Sequence, residues 1–494
     1  MSTALIVGAG ISGLAAGIAL RQSGIQAEIY ESHSIPGGAS TGWRRGEYFF
    51  EGGMHWLTGS SPKSPLNALW RELGALGEDV AVENRDPFLT IEHGGGEARL
   101  FRDPKRLRNE LCSHFPEDER EIARLCRDIL VFSRVQMPVT DLKGLKLRRK
   151  SPSPLPALLR LLPALPKMTA YSKMSTAEYA GRFQNPALRA LLLGVVGGEN
   201  AATALLFTLG TLAAGDGGCP EGGSVAMAAR MARKFEGLGG RIHYGRQVRR
   251  VLTRDGRASG LLLADGDLIE SETVLVTQDL LSAIDALFDP PLSAPWAEEQ
   301  RRKAAPVLCS FVSLGVRADL GGRSKAAVFA LPRPFICAGE RYESVLPYLY
   351  AGPPHAPQGQ AAITLAFMGD HYAFWQAARQ RGEYETEKAR LGEGCIRLLE
   401  ELLPETRSRF ELYDVATPLS YERYLHSFKG SWMSLQRKGE FPRTLPSGLS
   451  GISGLYFAGQ RLMPPGGLPV ALLTGRAAAQ AVCRDHGLIF QGAI

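Results

Sequence analysis

Apolar and polar positions along the chain fall into short periodic runs separated by glycine turns. The run TALIV (3–7) predicts a buried strand, GAGISG a turn, and LAAGIALRQSG a small-residue helix ending at Gly24. AEIYE predicts a second strand ending at Glu31. Strand, glycine turn, helix and strand within about thirty residues make a βαβ opening.

Further along, 104–132 carries apolar residues at helical spacing among charges, which predicts helices. STAEYAGRF predicts another helix, with Ser175 as N-cap and Glu178 completing a capping box. GGSVAMAARMARKFEGLGG predicts a helix with glycines at both ends, followed by a β-rich block over 241–277. Within that block RDGR and ADGD are Asp-Gly hairpin signals. Alternating stretches between 306 and 367 predict a second sheet, and EYETEKARLGEGCIRLLEELL a long helix. The chain closes on a strand, GLYFAGQ, a Pro-Gly loop, and the helix LPVALLTGRAAAQAVCR. This order predicts a discontinuous architecture. A dinucleotide-binding unit is expected from 1–100, 215–290 and 440–494, interrupted by substrate-side insertions at 101–214 and 291–439.

Length and composition add modest constraints. The 494 residues suit two or three domains, with 45% hydrophobic and 22% charged residues. The net charge of +7 is mildly basic. The seven cysteines are odd in number and lack C-x-x-C spacing, which argues against a disulfide scaffold or a zinc site and for a reducing, cytoplasmic compartment. The ALIVGAG run has no basic segment before it and reads as a strand rather than a signal peptide. No run reaches the ~18 uninterrupted apolar residues of a spanning helix. Segment 142–168 holds many leucines, five prolines and seven basic residues with no acid. It reads as a loop with short helical pieces, either a membrane-facing entrance at the inner face of a membrane or a solvated insertion. Without stacking aromatics there, nucleic acid is not an expected partner.

The chemistry concentrates at the N-terminus. Gly8, Gly10 and Gly13 form G-x-G-x-x-G between a strand and a helix, giving a tight turn, close backbone approach to a pyrophosphate and close helix–strand packing. The backbone of Gly8, Ala9, Gly10, Ile11, Ser12 and Gly13 offers free N–H groups to phosphates. Glu31, with Ser32 beside it, stands where an acid accepts the hydroxyls of an adenosine ribose. A second glycine pair, Gly37 and Gly38, follows closely. No second strand-linked G-x-G-x-x-G is present, so a separate nicotinamide domain is not expected.

The N-terminal signature through GGMHW, the middle segment CPEGGSVAMAARMARKFEGLGGRIHYGRQVRRVL and the C-terminal GLYFAGQRLMPPGGLPVALLTGRAAAQAV together resemble the amine oxidase-like flavoproteins. Within them, PGGAST and VATPLSYERYLHSFKGSWMS resemble the phytoene dehydrogenase group, which includes carotenoid isomerases and retinol saturases. The resemblance implies an α/β fold, a Rossmann-type FAD-binding domain with an inserted mixed-sheet and helical substrate domain. It implies FAD as cofactor, held also by Gly38, Ala39, Ser40, Gly53, Met54, His55, Val248, Gly459, Gln460, Gly467 and Leu468. Pro469 suits the first turn of a helix whose N-terminus would face the flavin. Two positions depart from the family pattern. Ala39 replaces a usual arginine or lysine, and Gln460 replaces a common acid, with its amide expected to reach a ribityl hydroxyl or a phosphate.

The resemblance also implies hydride transfer between flavin N5 and a carbon of an apolar isoprenoid, polyene or lipid-like intermediate, with desaturation or saturation of a C–C bond and oxygen or a quinone as acceptor. An amine or amino-acid oxidase, a redox-neutral double-bond isomerase and a non-enzymatic prenyl-lipid carrier are the alternatives. In GGMHWLTGSS (52–61), His55 is a candidate acid/base, a wall beside the flavin, or part of a structural turn. Gly52 and Gly53 are expected to allow close approach to the flavin. Trp56, Tyr348, Tyr350 and Trp375 are candidates for the substrate pocket, with His371, Tyr372 and Phe374 nearby in sequence. No metal site is expected.

Overall fold

The computed structural model describes residues 3–93, 95–148, 159, 161–440, 444–448 and 451–492. Its centre is a five-stranded parallel sheet, ordered Arg241–His243, Ala27–Tyr30 (β2), Ala4–Val7 (β1), Val274–Val276 and Leu455–Phe457. Side chains alternate across it, so the two faces of β1 belong to two cores. Ala4 and Ile6 join Ile29, Leu275 and Tyr456 beneath three helices, α1 (Ile11–Gln22), Gly223–Gly237 and Leu468–Asp485. Leu5 and Val7 join Tyr30, Val276 and Phe457 beneath a three-stranded antiparallel sheet and the helix Leu280–Ala286. Burial on both faces explains the continuous apolar run in β1. Each such side chain contributes roughly 1.5–3 kcal/mol.

The small residues of α1 serve close packing. A Cβ at Gly17 would lie 2.8 Å from the Phe235 ring, and one at Gly475 would lie 2.3 Å from the Ser12 carbonyl oxygen. Helices Ile11–Gln22 and Leu468–Asp485 therefore touch nearly backbone to backbone, and the chain's two ends share one layer.

The expected β-rich block over 241–277 divides between two sheets. Arg241–His243 and Val274–Val276 enter the parallel sheet, and the strands Val248–Arg254, Arg257–Leu263 and Leu268–Glu270 form the antiparallel one. The sorting follows the side chains: VLV is apolar throughout, whereas the hairpin strands have one wet face. Asp255 and Gly256 have φ of 51° and 72°, the conformation the first Asp-Gly turn requires.

Among the described residues, eight of the remaining strands form two four-stranded sheets and the others pair two by two. One is antiparallel, ordered Pro347–Ala351, Ala361–Met368, Cys309–Val316 and Phe410–Ala416. The other is mixed, ordered Glu340–Val345, Ala327–Cys337, Leu89–His93 and Gly96–Leu100. The second corrects the boundary drawn at residue 100, because Leu89–His93 pairs with Ala327–Cys337 and so belongs with the inserted part. Helices Pro104–His114, Glu119–Phe132, Pro186–Val196 and Ala202–Ala213 close an apolar core over this sheet. Ser175 and Glu178 form the expected capping box.

Of segment 142–168, residues 149–158 and 160 lie outside the described residues. Its start is fastened to the dinucleotide unit: Lys146–Leu147 pairs with Ile489–Phe490, and Asp141 accepts from buried Arg476 and from Gln480 at 2.6 Å each. Its end is the helix Leu165–Tyr171, whose Lys167 pairs with buried Asp128. All seven cysteines are free thiols. Among the described residues no helix is long and apolar enough to cross a membrane.

Candidate functional site

The turn after β1 is built for close approach. Gly8 has φ of 100°, and a Cβ at Gly13 would lie 2.0 Å from the Gly8 carbonyl oxygen, so neither position accepts a side chain. Thr277 locks the turn from the adjacent strand, its hydroxyl donating to the carbonyl oxygens of Val7 (2.8 Å) and Gly8 (3.1 Å). A Cβ at Gly10 behaves differently, meeting only the Gly37 carbonyl oxygen at 3.9 Å. Gly10 therefore faces open space and is not demanded by the protein's own packing. It is also the N-cap of α1 and has no side-chain cap, so the first-turn N–H groups from Ile11, Ser12 and Gly13 await an acceptor.

Glu31 is buried and ties two turns together. Its carboxylate accepts from the Ala9 N–H (2.7 Å), the His33 N–H (2.8 Å) and the Ser32 hydroxyl (3.2 Å). The second glycine pair meets the first turn directly: Gly37 bridges Gly10, its N–H donates to the Ala9 carbonyl at 2.9 Å, and Gly38 has φ of 59°. Val248 is buried beside Tyr30 in the antiparallel-sheet core. The Ser40 hydroxyl is sealed from solvent and has no partner among the described residues.

The loop GGMHWLTGSS is pinned at both ends by buried carboxylates that sequence reading did not single out. At its start Glu51 accepts from the N–H groups of Gly53 (3.1 Å), Met54 (3.3 Å) and Ser224 (3.1 Å). Burial pushes the Glu51 carboxyl above the usual range, and its bonds to Ser224, Gly53 and Met54 oppose that shift. At its end Asp216 accepts from Gly59 N–H (2.9 Å), Ser60 hydroxyl (3.0 Å), Ser61 N–H (3.0 Å) and Gly217 N–H (2.8 Å). Both acids sit beside glycines, in EGG and GDGG, a local signal that an acid is serving backbone. Gly52 and Gly53 correct an expectation. A Cβ at Gly52 would lie 2.5 Å from the Trp43 ring and one at Gly53 2.7 Å from the Ala39 carbonyl oxygen, so their bareness admits protein neighbours. Gly53 thereby places this loop directly against the 37–40 loop.

Between the two anchors the aromatic side chains reach the other half of the molecule. His55 stacks on Tyr348, centroids 3.8 Å apart and planes at 8°, and Trp56 meets Phe88 edge-on at 5.5 Å. Arg85 donates to the His55 carbonyl oxygen at 2.8 Å. His55 Nδ1 is sealed from solvent and has no partner among the described residues. Burial, with Arg85 adding to it, pushes the His55 pKa down to about 3, so the imidazole is neutral at ordinary pH and a poor general base. Tyr348 and Tyr350 are both buried or partly so, and burial raises Tyr348 to about 12 and Tyr350 well above the usual phenol value.

Trp375 does not join them. It is 1% exposed in the core of the antiparallel sheet, its indole N–H donating to Ser310 at 2.9 Å. The Ser310 hydroxyl also bonds His371 Nδ1 at 2.9 Å, and Tyr342 bonds His371 Nε2 at 2.8 Å. The helical period of MGDHYAFW turns this face toward the core, so these side chains hold the sheet's covering helix.

At the C-terminal motif, Gly459 and Gly467 have φ of 136° and 84°, and Leu468 opens the last helix with Pro469 in its first turn. Gln460 differs from expectation. Its side-chain N–H donates to the Trp432 carbonyl (2.9 Å) and its oxygen accepts from the Gly467 N–H (3.0 Å), so both ends of the amide brace the loop. Next to it lies a buried ion pair, Arg461 with Asp279 at 2.6 Å, extended to Ser431 and Ser434. The partners are far apart in sequence and gave no local signal.

The bare Gly10, the uncapped start of α1, buried Glu31 at the end of the next strand and the unpartnered Ser40 hydroxyl together fit a dinucleotide cofactor. Among the described residues no cluster of side chains suits a metal ion.

Comparison with known proteins agrees. The profile of the Flavin containing amine oxidoreductase family matches residues 11–483. A lycopene-forming phytoene desaturase of Paracoccus sp. is 24% identical over 515 residues, covering 98% of this chain and 97% of the relative. A chloroplastic prolycopene isomerase of Arabidopsis thaliana is 26% identical, covering 98% and 83%. Among solved structures, a variant of putrescine oxidase superposes with a TM-score of 0.62 at 16% identity, over 98% of this chain and 99% of that one, a likeness of fold. The chain belongs to the flavin-containing amine oxidoreductase family and is an FAD-dependent oxidoreductase.

Proposed function

We propose that the enzyme transfers a hydride between FAD and a carbon of an apolar isoprenoid or polyene, changing the order of a C–C bond. The carrying observation is the loop 52–61. It rests on the 37–40 loop of the dinucleotide cradle through Gly53, its His55 stacks on Tyr348 of the inserted part, and its Trp56 meets Phe88 edge-on just ahead of the strand Leu89–His93. One rigid loop thus joins cofactor cradle to aromatic, apolar lining. Bound FAD supplies the hydride acceptor and donor. The protein positions the substrate and excludes water. In this reading His55 orients as a neutral ring and moves no proton, and Tyr348, Tyr350 and Trp56 line the substrate channel. The phytoene desaturase and prolycopene isomerase relatives favour a polyene over an amine.

The cradle is assigned to Gly8–Gly13, Glu31, Ser32, Gly38–Ser40, Met54, Val248, Gly459 and Leu468. Its unit is assigned to the segments around 1–88, 215–290 and 440–494. Purified protein mixed anaerobically with polyenes and with amines tests the reading. Bleaching by polyenes alone is expected, and bleaching by amines alone refutes it.

A specific surface favours peripheral attachment at the cytoplasmic face of a membrane. Leu130, Leu159, Leu162 and Leu165 are 52%, 56%, 55% and 42% exposed, and the Lys167–Asp128 pair joins the helices that carry Leu165 and Leu130. Co-sedimentation with anionic vesicles is expected for the wild type and lost in Leu159→Asp/Leu162→Asp.

A further inference from the structure

Arg85 carries a positive charge that the fold leaves unanswered. It lies between the short strand Val82–Glu83 and the mixed sheet, and it is partly buried. The acids nearest in sequence are committed elsewhere. Glu83 is taken by Lys325 at 2.7 Å, and Asp86 by Arg106 at 2.9 Å and the Arg102 N–H at 3.0 Å. Glu51, the buried acid of this region, gives its oxygens to backbone N–H groups. Among the described residues no carboxylate pairs with Arg85. One guanidinium N–H reaches the His55 carbonyl oxygen and the rest of the fork is free, with its carbon 5.5 Å from the Phe88 ring centroid.

The surroundings add further polar groups to this charge. Arg85 bonds the carbonyl of His55, whose ring stacks on Tyr348, and its charge adds to the fall of the His55 pKa while opposing the burial-driven rise at Tyr348 and Tyr350. The hydroxyls of Tyr348 and Tyr350 have no hydrogen-bond partner among the described residues either. A hydrocarbon seated against this group would strip water from a guanidinium and two phenols and give nothing back. A planar carboxylate matches the open fork and accepts from phenol hydroxyls.

We propose that Arg85, with the hydroxyls of Tyr348 and Tyr350, receives a carboxylate at one end of the substrate, so that the preferred substrate is an apolar polyene or isoprenoid acid rather than a hydrocarbon. This rests on the channel reading given under Proposed function. Arg85 is a specificity determinant and takes no part in hydride transfer.

Binding to the FAD-loaded enzyme tests it, read by quenching of tryptophan fluorescence. The ligands are a conjugated polyene carboxylic acid, its methyl ester and the hydrocarbon of the same length. The acid is expected to bind about 10- to 100-fold more tightly than the ester, the worth of a charge-assisted pair. Arg85→Gln should erase that preference with FAD content retained, and Arg85→Lys should keep part of it. Equal affinity for acid and ester in the wild type overturns the proposal without recourse to any variant, as does an intact preference in Arg85→Gln. Turnover is scored separately. Acid preference without flavin reduction by any polyene would keep the Arg85 site and refute the proposed reaction, whereas flavin reduction by hydrocarbons without acid preference would do the reverse.

Discussion

Gly10 is where the chain leaves room for something other than itself. Gly13 is bare because the Gly8 carbonyl lies where its side chain would be, but a side chain at Gly10 meets almost no protein. Gly10→Val is therefore expected to melt within a few degrees of the wild type and yet to lose more than about nine-tenths of its FAD, in line with the close backbone approach a pyrophosphate needs. Flavin absorbance relative to protein, alongside a melting curve, checks both halves. His55 gives a prediction in pH. In the fold it stays neutral down to about 3, whereas the unfolded imidazole takes a proton below its ordinary 6.5. The unfolded chain binds the extra proton in that window, so stability falls as pH drops from 6.5 toward 3. His55→Phe keeps the stack on Tyr348 and removes the titration. Its denaturation midpoint relative to wild type should rise between pH 7 and pH 4.5, and its pH–rate profile for flavin reduction should keep the wild-type shape.

At the scale of elements, function depends on how loops are fastened. Asp216 fastens 59–61 to 216–218 with four N–H or O–H donors on one buried carboxylate. Asp216→Ala strands those donors and is expected to cost about 3 kcal/mol. Limited proteolysis should then cut first within 52–61. Arg461→Met leaves the Asp279 charge buried and is expected to cost about 3–5 kcal/mol. Arg461→Met/Asp279→Leu should recover most of that and fall short by about 1 kcal/mol, because Asp279 also caps Leu280–Ala286 through the N–H groups of Leu281 and Ser282. Urea titration of the three proteins measures both numbers. These fasteners differ in how visible they are in sequence. The capping box at Ser175 and the turn at Asp255–Gly256 are local and could be read directly. Arg461–Asp279, and the use of both ends of the Gln460 amide by backbone, exist only once distant segments meet.

For the whole molecule, the order of motifs was enough to foresee a parallel dinucleotide sheet assembled from distant pieces, because each strand–turn–helix unit carries its own period and glycines. The boundary at residue 100 was not, because a short alternating strand such as Leu89–His93 does not say which sheet it joins. Trp375 was misplaced for a related reason. An aromatic residue is equally suited to a core and to a pocket, and only the Ser310 bond and full burial decide. His55 and Tyr348 could each be singled out in sequence, but their stacking joins residues nearly three hundred positions apart. That contact joins the two halves of the molecule, and the proposed site is built across it. Its most direct test is the visible spectrum of purified protein mixed anaerobically with a conjugated polyene and, separately, with an amine. Electron exchange between the bound flavin and the polyene, with a product differing from it by two hydrogens, is the expected result. A colourless protein, or a flavin that amines reduce and polyenes leave untouched, would contradict it.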